Sequence, residues 1–442
     1  MDKEVIKTII IENQERKIPW LIERDIEIPL RSQKIIAITG PRRSGKTYLL
    51  FQIIKKLKEE GIGKEQILYI SFDDPRILPT DSRGIELIFD AYRELYPNYS
   101  NKTNYLFFDE IQNVKEWEIG VRRIHDTKIF KIFLTGSSSK LLSKEIATQL
   151  RGRAINYEIS PFSFKEFLRA KNIELNERIV YSEERFKIIN YLEEFIQFGG
   201  FPEVVLEEDD NVKLRILKEY IDTMFFKDLV ERFKIRNTLI LRELTKFLIT
   251  NISSYFSINS FYKWIKSVSP VTRRTIINYV SYLEESGIFH FVKKYSFSLK
   301  EQTLSLKKVY IVDLGLRRVY GFKFSQDRGK SLENIVFLEL LKKKLKNPIF
   351  EVYYYKDRRN HEVDFVLTEG DSVKYLIQSC LSLTDEKTRK RELTSLINAS
   401  EELKCNNLFI VTLDHEEEIE ISGKRIVVKP LWKWLIHMNL YW

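Results

Sequence analysis

One eight-residue segment limits the architecture of this chain more than any other. Gly40-Pro41-Arg42-Arg43-Ser44-Gly45-Lys46-Thr47 fills the pattern G-x-x-x-x-G-K-[ST]. It stands between an apolar β-branched run, residues 34–39, and an amphipathic stretch, residues 48–58. Strand, glycine turn and helix start in that order form a loop whose backbone N–H groups converge on one point. The partial positive charge of the helix N-terminus faces the same point, so the segment suits a phosphate chain. Gly40 and Gly45 keep Cβ atoms out of the curl, Lys46 brings a point charge to the β- and γ-oxygens, and the Thr47 hydroxyl faces a Mg²⁺ ion. Tyr48 follows at the head of the helix.

The loop demands a parallel sheet, and the neighbouring pattern supplies one. Residues 67–72, 105–108 and 131–135 are short apolar runs ending in Gly, Asp or Ser, with helical periodicity between them, and residues 154–159 make a fifth. Strands alternating with helices predict an α/β layer with its ligands at the carboxyl ends of the strands. One of these runs ends Phe108-Asp109-Glu110. A buried strand gains nothing from two adjacent acids at its tip, whereas nucleotide hydrolysis needs both. Asp109 is expected to hold the metal and Glu110 to orient and polarise water. The next run ends Thr135-Gly136-Ser137-Ser138, where Ser137, with Thr135 and Ser138 as alternatives, is placed to meet the γ-phosphate or the water. Arg151 and Arg153 are candidates for an arginine finger reaching a neighbouring subunit of a homo-oligomer, a surface salt bridge being the alternative.

From Pro161 the pattern becomes helical. Gly199-Gly200-Phe201-Pro202 stops one helix, residues 213–233 read as a long one, and residues 239–252, 258–268 and 272–286 as three short ones. Two strand-like runs, 288–295 and 307–313, complete a winged-helix pattern. Arg273 and Arg274 open its third helix, and Lys293 and Lys294 lie near the wing, so DNA contact is one expectation. A helix over 332–344 and strands at 350–355, 362–367, 375–379 and 408–412 predict a second, smaller α/β unit. The net charge of +10 adds little, because acids and bases alternate throughout. Two cysteines build no disulfide framework, no run reaches the ~20 apolar residues of a membrane span, and Met1 to Glu12 lacks signal-peptide character. A cytoplasmic location is the expectation, without a membrane partner.

The order of these motifs resembles a family of archaeal and bacterial AAA-type ATPases that join a P-loop domain to a winged helix and a C-terminal domain of unknown function. The resemblance is carried by the double-arginine loop, Phe108-Asp109-Glu110-Ile111-Gln112 with Trp117, Leu134 to Ser138, Arg151-Gly152-Arg153 and Pro161 to Phe167. Gly199 to Pro202, Lys227-Asp228-Leu229, Leu332-Glu333-Asn334 and Glu362-Val363-Asp364-Phe365 extend it over nearly the whole chain. It implies ATP and Mg²⁺ as ligands, ATP hydrolysis, and DNA or a partner protein as the object of the cycle. It also implies domains over residues 1–160 (P-loop ATPase), 161–236 (helical lid), 237–328 (winged helix) and 329–442. The last is similar to the PD-(D/E)XK, restriction-endonuclease-like fold, whose acids gather metal against a phosphodiester. Glu333 and Asp364 match that pattern. Gln378-Ser379-Cys380 stands where an acid-x-Lys is expected, which predicts a degenerate site, a DNA-binding or structural relic, with an ATP-gated metal-dependent nuclease as the alternative.

Overall fold

Strand Ile35–Gly40 (β1) is buried along its whole length and feeds directly into the glycine loop. Successive residues of a strand point to opposite faces, and the two faces of β1 enter different cores. Ile35 and Ala37 pack with the helices Lys3–Glu15, Ser82–Leu95 and Trp117–Asp126, while Ile36 and Ile38 pack with the helix Lys46–Glu59. With β2 (Ile67–Ser71), β3 (Asn104–Asp109), β4 (Phe130–Ser137) and β5 (Ala154–Glu158) it forms a parallel sheet of order β2-β3-β4-β1-β5. Since β3 and β4 both lie on one side of β1, the acid tip of β3 and the polar tip of β4 are brought beside the phosphate loop. The computed structural model describes residues 2–99, 102–137, 148–176, 178–320 and 327–437. Its contacts divide into two compact units, Met1–Ser160 and Pro161–Trp442.

The second unit opens with helices. Phe164–Ala170 starts on a reciprocal cap in which Ser163 accepts from the Glu166 amide and Glu166 accepts from the Ser163 amide. Glu184–Phe198 ends at Gly199, whose φ of 76° suits glycine alone, and Asp210–Thr223 runs on into a π-helical stretch, Met224–Glu231. Three helices follow, Thr238–Thr250, Ile258–Ile265 and Arg273–Glu285. With them stands an antiparallel sheet of order β6-β8-β7, built from β6 (Ser254–Phe256), β7 (Phe289–Val292) and β8 (Lys307–Ile311). The short strand β6 and a helix, Leu299–Leu304, between β7 and β8 are additions to the sequence expectation. Both are too short to show periodicity.

A six-stranded mixed sheet closes the chain. Its strands are β9 (Phe350–Lys356), β10 (Glu362–Glu369), β11 (Ser372–Ser379), β12 (Leu408–Thr412), β13 (Glu417–Ile421) and β14 (Lys424–Pro430), in the order β13-β14-β12-β11-β10-β9. β11, β12 and β14 run parallel, and the remaining neighbours pair antiparallel. Helices Arg328–Lys346 and Glu386–Leu403 pack on it. The strands β13 and β14 went unpredicted because EEIEI and KRIVVKP carry so much charge that they read as loop. Among the described residues no helix is long and apolar enough to cross a membrane.

Candidate active site

The phosphate loop is shaped for a ligand. Gly45, at φ 95°, caps the helix Lys46–Glu59 without a side-chain acceptor, and no acid lies in the first turn, so the helix N-terminal N–H groups have no internal anion. A Cβ on Gly40 would lie 2.2 Å from the Ile159 carbonyl oxygen, so only glycine passes here. Ser44 is wholly buried, and its Oγ has no hydrogen-bond partner among the described residues. An orphaned buried hydroxyl inside a loop of converging donors fits a phosphate oxygen. The Lys46 ammonium is turned onto the loop itself, donating to the carbonyls of Gly40 (3.3 Å) and Pro41 (3.1 Å).

Asp109 is the centre of the polar cluster beside the loop. It is 3% exposed. Its Oδ2 accepts from the Thr47 hydroxyl at 2.8 Å and from the Tyr69 hydroxyl at 3.0 Å, and its Oδ1 accepts from Thr135 Oγ1. Burial pushes the carboxyl above the usual range, the Thr135, Thr47 and Tyr69 hydroxyls pull it back, and the neighbouring Glu110 adds to the rise. All three donors are neutral, so a cation in the cluster would meet an anion whose charge is not yet cancelled. A carboxylate with a hydroxyl beside it is a hard-oxygen donor set that fits Mg²⁺. Burial, followed by the Asp109 charge, raises the Tyr69 phenol, which therefore stays a donor.

Glu110 stands at φ 53°, a left-handed conformation that a non-glycine residue keeps only when its surroundings fix it. Its amide donates to Thr135 Oγ1 at 3.0 Å, and its carboxylate accepts from Gln112 Nε2. One hydroxyl, that of Thr135, thus ties both acids to the end of β4. Ser137 ends β4, but its side chain and all of Ser138 lie outside the described residues. The Arg153 guanidinium is paired with Asp126 at 3.1 Å within its own unit, while Arg151 is exposed at φ 50°. Sequence reading also missed Arg24. Its guanidinium donates to the Ser44 carbonyl at 2.7 Å and to the Ser160 carbonyl at 2.6 Å, bracing the phosphate loop.

Residues 32–168 match the family described as AAA domain, and residues 189–326 and 328–434 match two families described as domains of unknown function. An uncharacterized protein of Methanocaldococcus jannaschii is 41% identical over 447 residues, covering 98% of this chain and 96% of its own. The chain belongs to this AAA-domain family. An uncharacterized protein of Haemophilus influenzae is 30% identical over 403 residues, 90% of the AAA-domain chain and 94% of its own. The crystal structure of Cdc6p from Pyrobaculum aerophilum, 14% identical, covers 70% of this chain and 90% of that one at a TM-score of 0.27.

In the second unit of the AAA-domain protein, Arg273 and Arg274 are exposed at the start of their helix, Arg273 lying 5.2 Å from the Tyr262 ring centroid. Lys293 is exposed, and Lys294 pairs with Glu301 at 2.7 Å. Glu333 and Asp364 do come together, but around a residue that sequence reading passed over. Lys308, on β8, is 3% exposed and lies 3.0 Å from Glu333 Oε1, 2.7 Å from Glu362 Oε1 and 2.9 Å from Asp364 Oδ1. Gln378 donates to Glu392 at 2.5 Å and accepts from the Asp364 amide at 3.2 Å.

Proposed function

We propose that this AAA-domain protein binds MgATP at the loop from Gly40 to Thr47 and hydrolyses it, the turnover driving its second unit against DNA or a partner protein. The observation that carries this reading is the Thr135 hydroxyl, which fixes Asp109 and the Glu110 amide together while Thr47 reaches the same Asp109. Lys46 would leave the Gly40 and Pro41 carbonyls for the β- and γ-oxygens, a stronger partner for an ammonium than two neutral carbonyls. Thr47 and Asp109 would hold Mg²⁺, whose charge offsets that of the phosphates. Glu110 would orient the attacking water and accept its proton once Gln112 releases the carboxylate. The exposed Arg151 is the better placed finger for a neighbouring subunit, since Arg153 already has Asp126.

In this reading the three helices and the sheet β6-β8-β7 are a winged helix, with Arg273 and Arg274 offered to duplex phosphates, and the C-terminal sheet is a nuclease-like domain without activity. Phosphate release and binding of a fluorescent ATP analogue test the core of it. Lys46→Ala should lose both; binding and turnover left intact would overturn the assignment. Changing Arg273 and Arg274 together to Ala should weaken duplex affinity and flatten its salt dependence, and an unchanged affinity removes DNA from the reading. A second reading, a switch in which binding outweighs turnover, is favoured by the hold of Gln112 on Glu110. Phosphate release that stays negligible with and without DNA, in a protein that binds ATP, would select it.

A further inference from the structure

Three acids of the second unit converge on one cation, and that cation is part of the chain. We propose that the Lys308 ammonium permanently occupies the place of a metal ion among Glu333, Glu362 and Asp364, making the cluster an ionic latch and closing it to divalent metal. The carboxylates come from the helix Arg328–Lys346 and from β10, whereas Lys308 enters from β8 of the three-stranded sheet. An ammonium has three N–H bonds to give, and three carboxylate oxygens lie within 3.0 Å of its nitrogen. Alternation along β8 puts Tyr310 on the same face, and its hydroxyl donates to Glu333 at 2.8 Å. Tyr255, on β6, donates to Glu362 at 2.7 Å. The remaining oxygen of Asp364 accepts from the Ser379 amide at 3.0 Å and its hydroxyl at 2.8 Å.

Among the described residues the Lys308 ammonium fills the centre of the three carboxylates. A divalent ion would have to displace an ammonium that is itself buried, leaving its charge unpaired, and Gln378 supplies no further acid. Burial alone would lower the Lys308 pKa, but the charges of Asp364, Glu333 and Glu362 outweigh it and hold the proton on. The donor set therefore does not fit a nuclease-like metal centre. It fits a clamp between the three-stranded sheet and the C-terminal sheet, and just past β7 the Tyr295 amide also donates to the Tyr354 carbonyl of β9 at 2.6 Å.

The test uses the full chain without nucleotide, followed by thermal unfolding and Mn²⁺ titration. Wild type should show no Mn²⁺ binding that Asp364→Asn removes. Lys308→Met should lower the melting temperature of the second unit by roughly 10 °C, because it leaves buried carboxylates uncompensated. Millimolar Mn²⁺ should restore much of that loss, but not in Lys308→Met/Asp364→Asn. If Lys308→Met alone does not fold, the double variant, with less uncompensated charge, should be recovered folded; failure of both makes Lys308 a packing residue and overturns the proposal. Asp364-dependent Mn²⁺ binding or metal-dependent DNA cleavage by wild type would overturn it too, as would a Lys308→Met protein that melts like wild type and ignores Mn²⁺.

Discussion

Two buried aspartates, Asp109 on β3 and Asp364 on β10, each gather a cluster of polar groups, and their neighbours give them opposite characters. Around Asp109 the side-chain donors are the hydroxyls of Thr47, Tyr69 and Thr135. Around Asp364 the decisive donor is an ammonium. Hydroxyls orient a carboxylate and leave its charge in place, so the first cluster keeps its attraction for a cation brought in with a ligand. An ammonium offsets one of the three carboxylate charges and fills the place a cation would take, so the second cluster has already made its bond. Two acids near a strand end thus do not define a metal site until the charge of their partners has been counted.

The comparison is most sharply tested at Glu110. Glu110→Gln keeps the size and the Thr135 contact of the amide but removes the proton acceptor. Turnover should fall by about 10²- to 10⁴-fold while ATP binding is retained. A variant that hydrolyses ATP at the wild-type rate would place the base elsewhere. Thr135→Val is the next largest change, since it deletes the hydroxyl that Asp109 and the Glu110 amide share. Loss of a hydrogen bond to a buried charge predicts a turnover decrease of roughly 10- to 100-fold, and Thr135→Ser should recover most of it. Equal damage by Val and Ser would mean that the methyl group, not the hydroxyl, matters. Tyr69→Phe removes one of the three donors to Asp109 and should act mainly on metal use. The Mg²⁺ concentration for half-maximal turnover should move by about tenfold or less, with a smaller change at saturating Mg²⁺. A kcat effect with no Mg²⁺ dependence would instead assign Tyr69 to the packing of β2.

The legible part of the molecule is the part where local pattern and chemistry coincide. Gly40 to Thr47 and the Asp109-Glu110 pair are contiguous, so each could be read without knowing what lies across the sheet. The parallel order followed from the alternation of strands and helices, since that connection has few solutions. Arg24, Tyr69 and Lys308 were illegible because their partners are distant in sequence. Arg24 meets Ser160, Tyr69 meets Asp109 and Lys308 meets Asp364. An arginine in a polar stretch and a tyrosine or lysine inside a strand are each ordinary residues there, and only the register of the sheets turns them inward. The strands β13 and β14 were hidden for a related reason. Their side chains pair with charges such as Arg425 with Glu418 across the hairpin, so alternation with apolar residues is weak.

The smallest effect concerns an acid held by backbone amides. Asp313, just after β8, is buried and accepts from the amides of Gly200 (2.6 Å) and Gly315 (2.8 Å), which fixes the turn after the helix Glu184–Phe198. Burial pushes its carboxyl up to about 7, with the two amides and Lys342 pulling the other way. In the unfolded chain it titrates near an ordinary aspartate value of about 3.9. Because the folded pKa is the higher one, the folded state holds a proton that the unfolded state has released between those values. The Asp313 contribution to stability is therefore complete below about pH 4, declines as pH rises toward 7, and levels off above it. The slope in that window is on the order of 1 kcal/mol per pH unit. Calorimetry at pH 5, 6, 7 and 8 should show this decline in the wild-type second unit and lose it in Asp313→Asn. Curves for the two proteins that run parallel across the window would mean that Asp313 is ionised throughout, held by its two amides against the cost of burial.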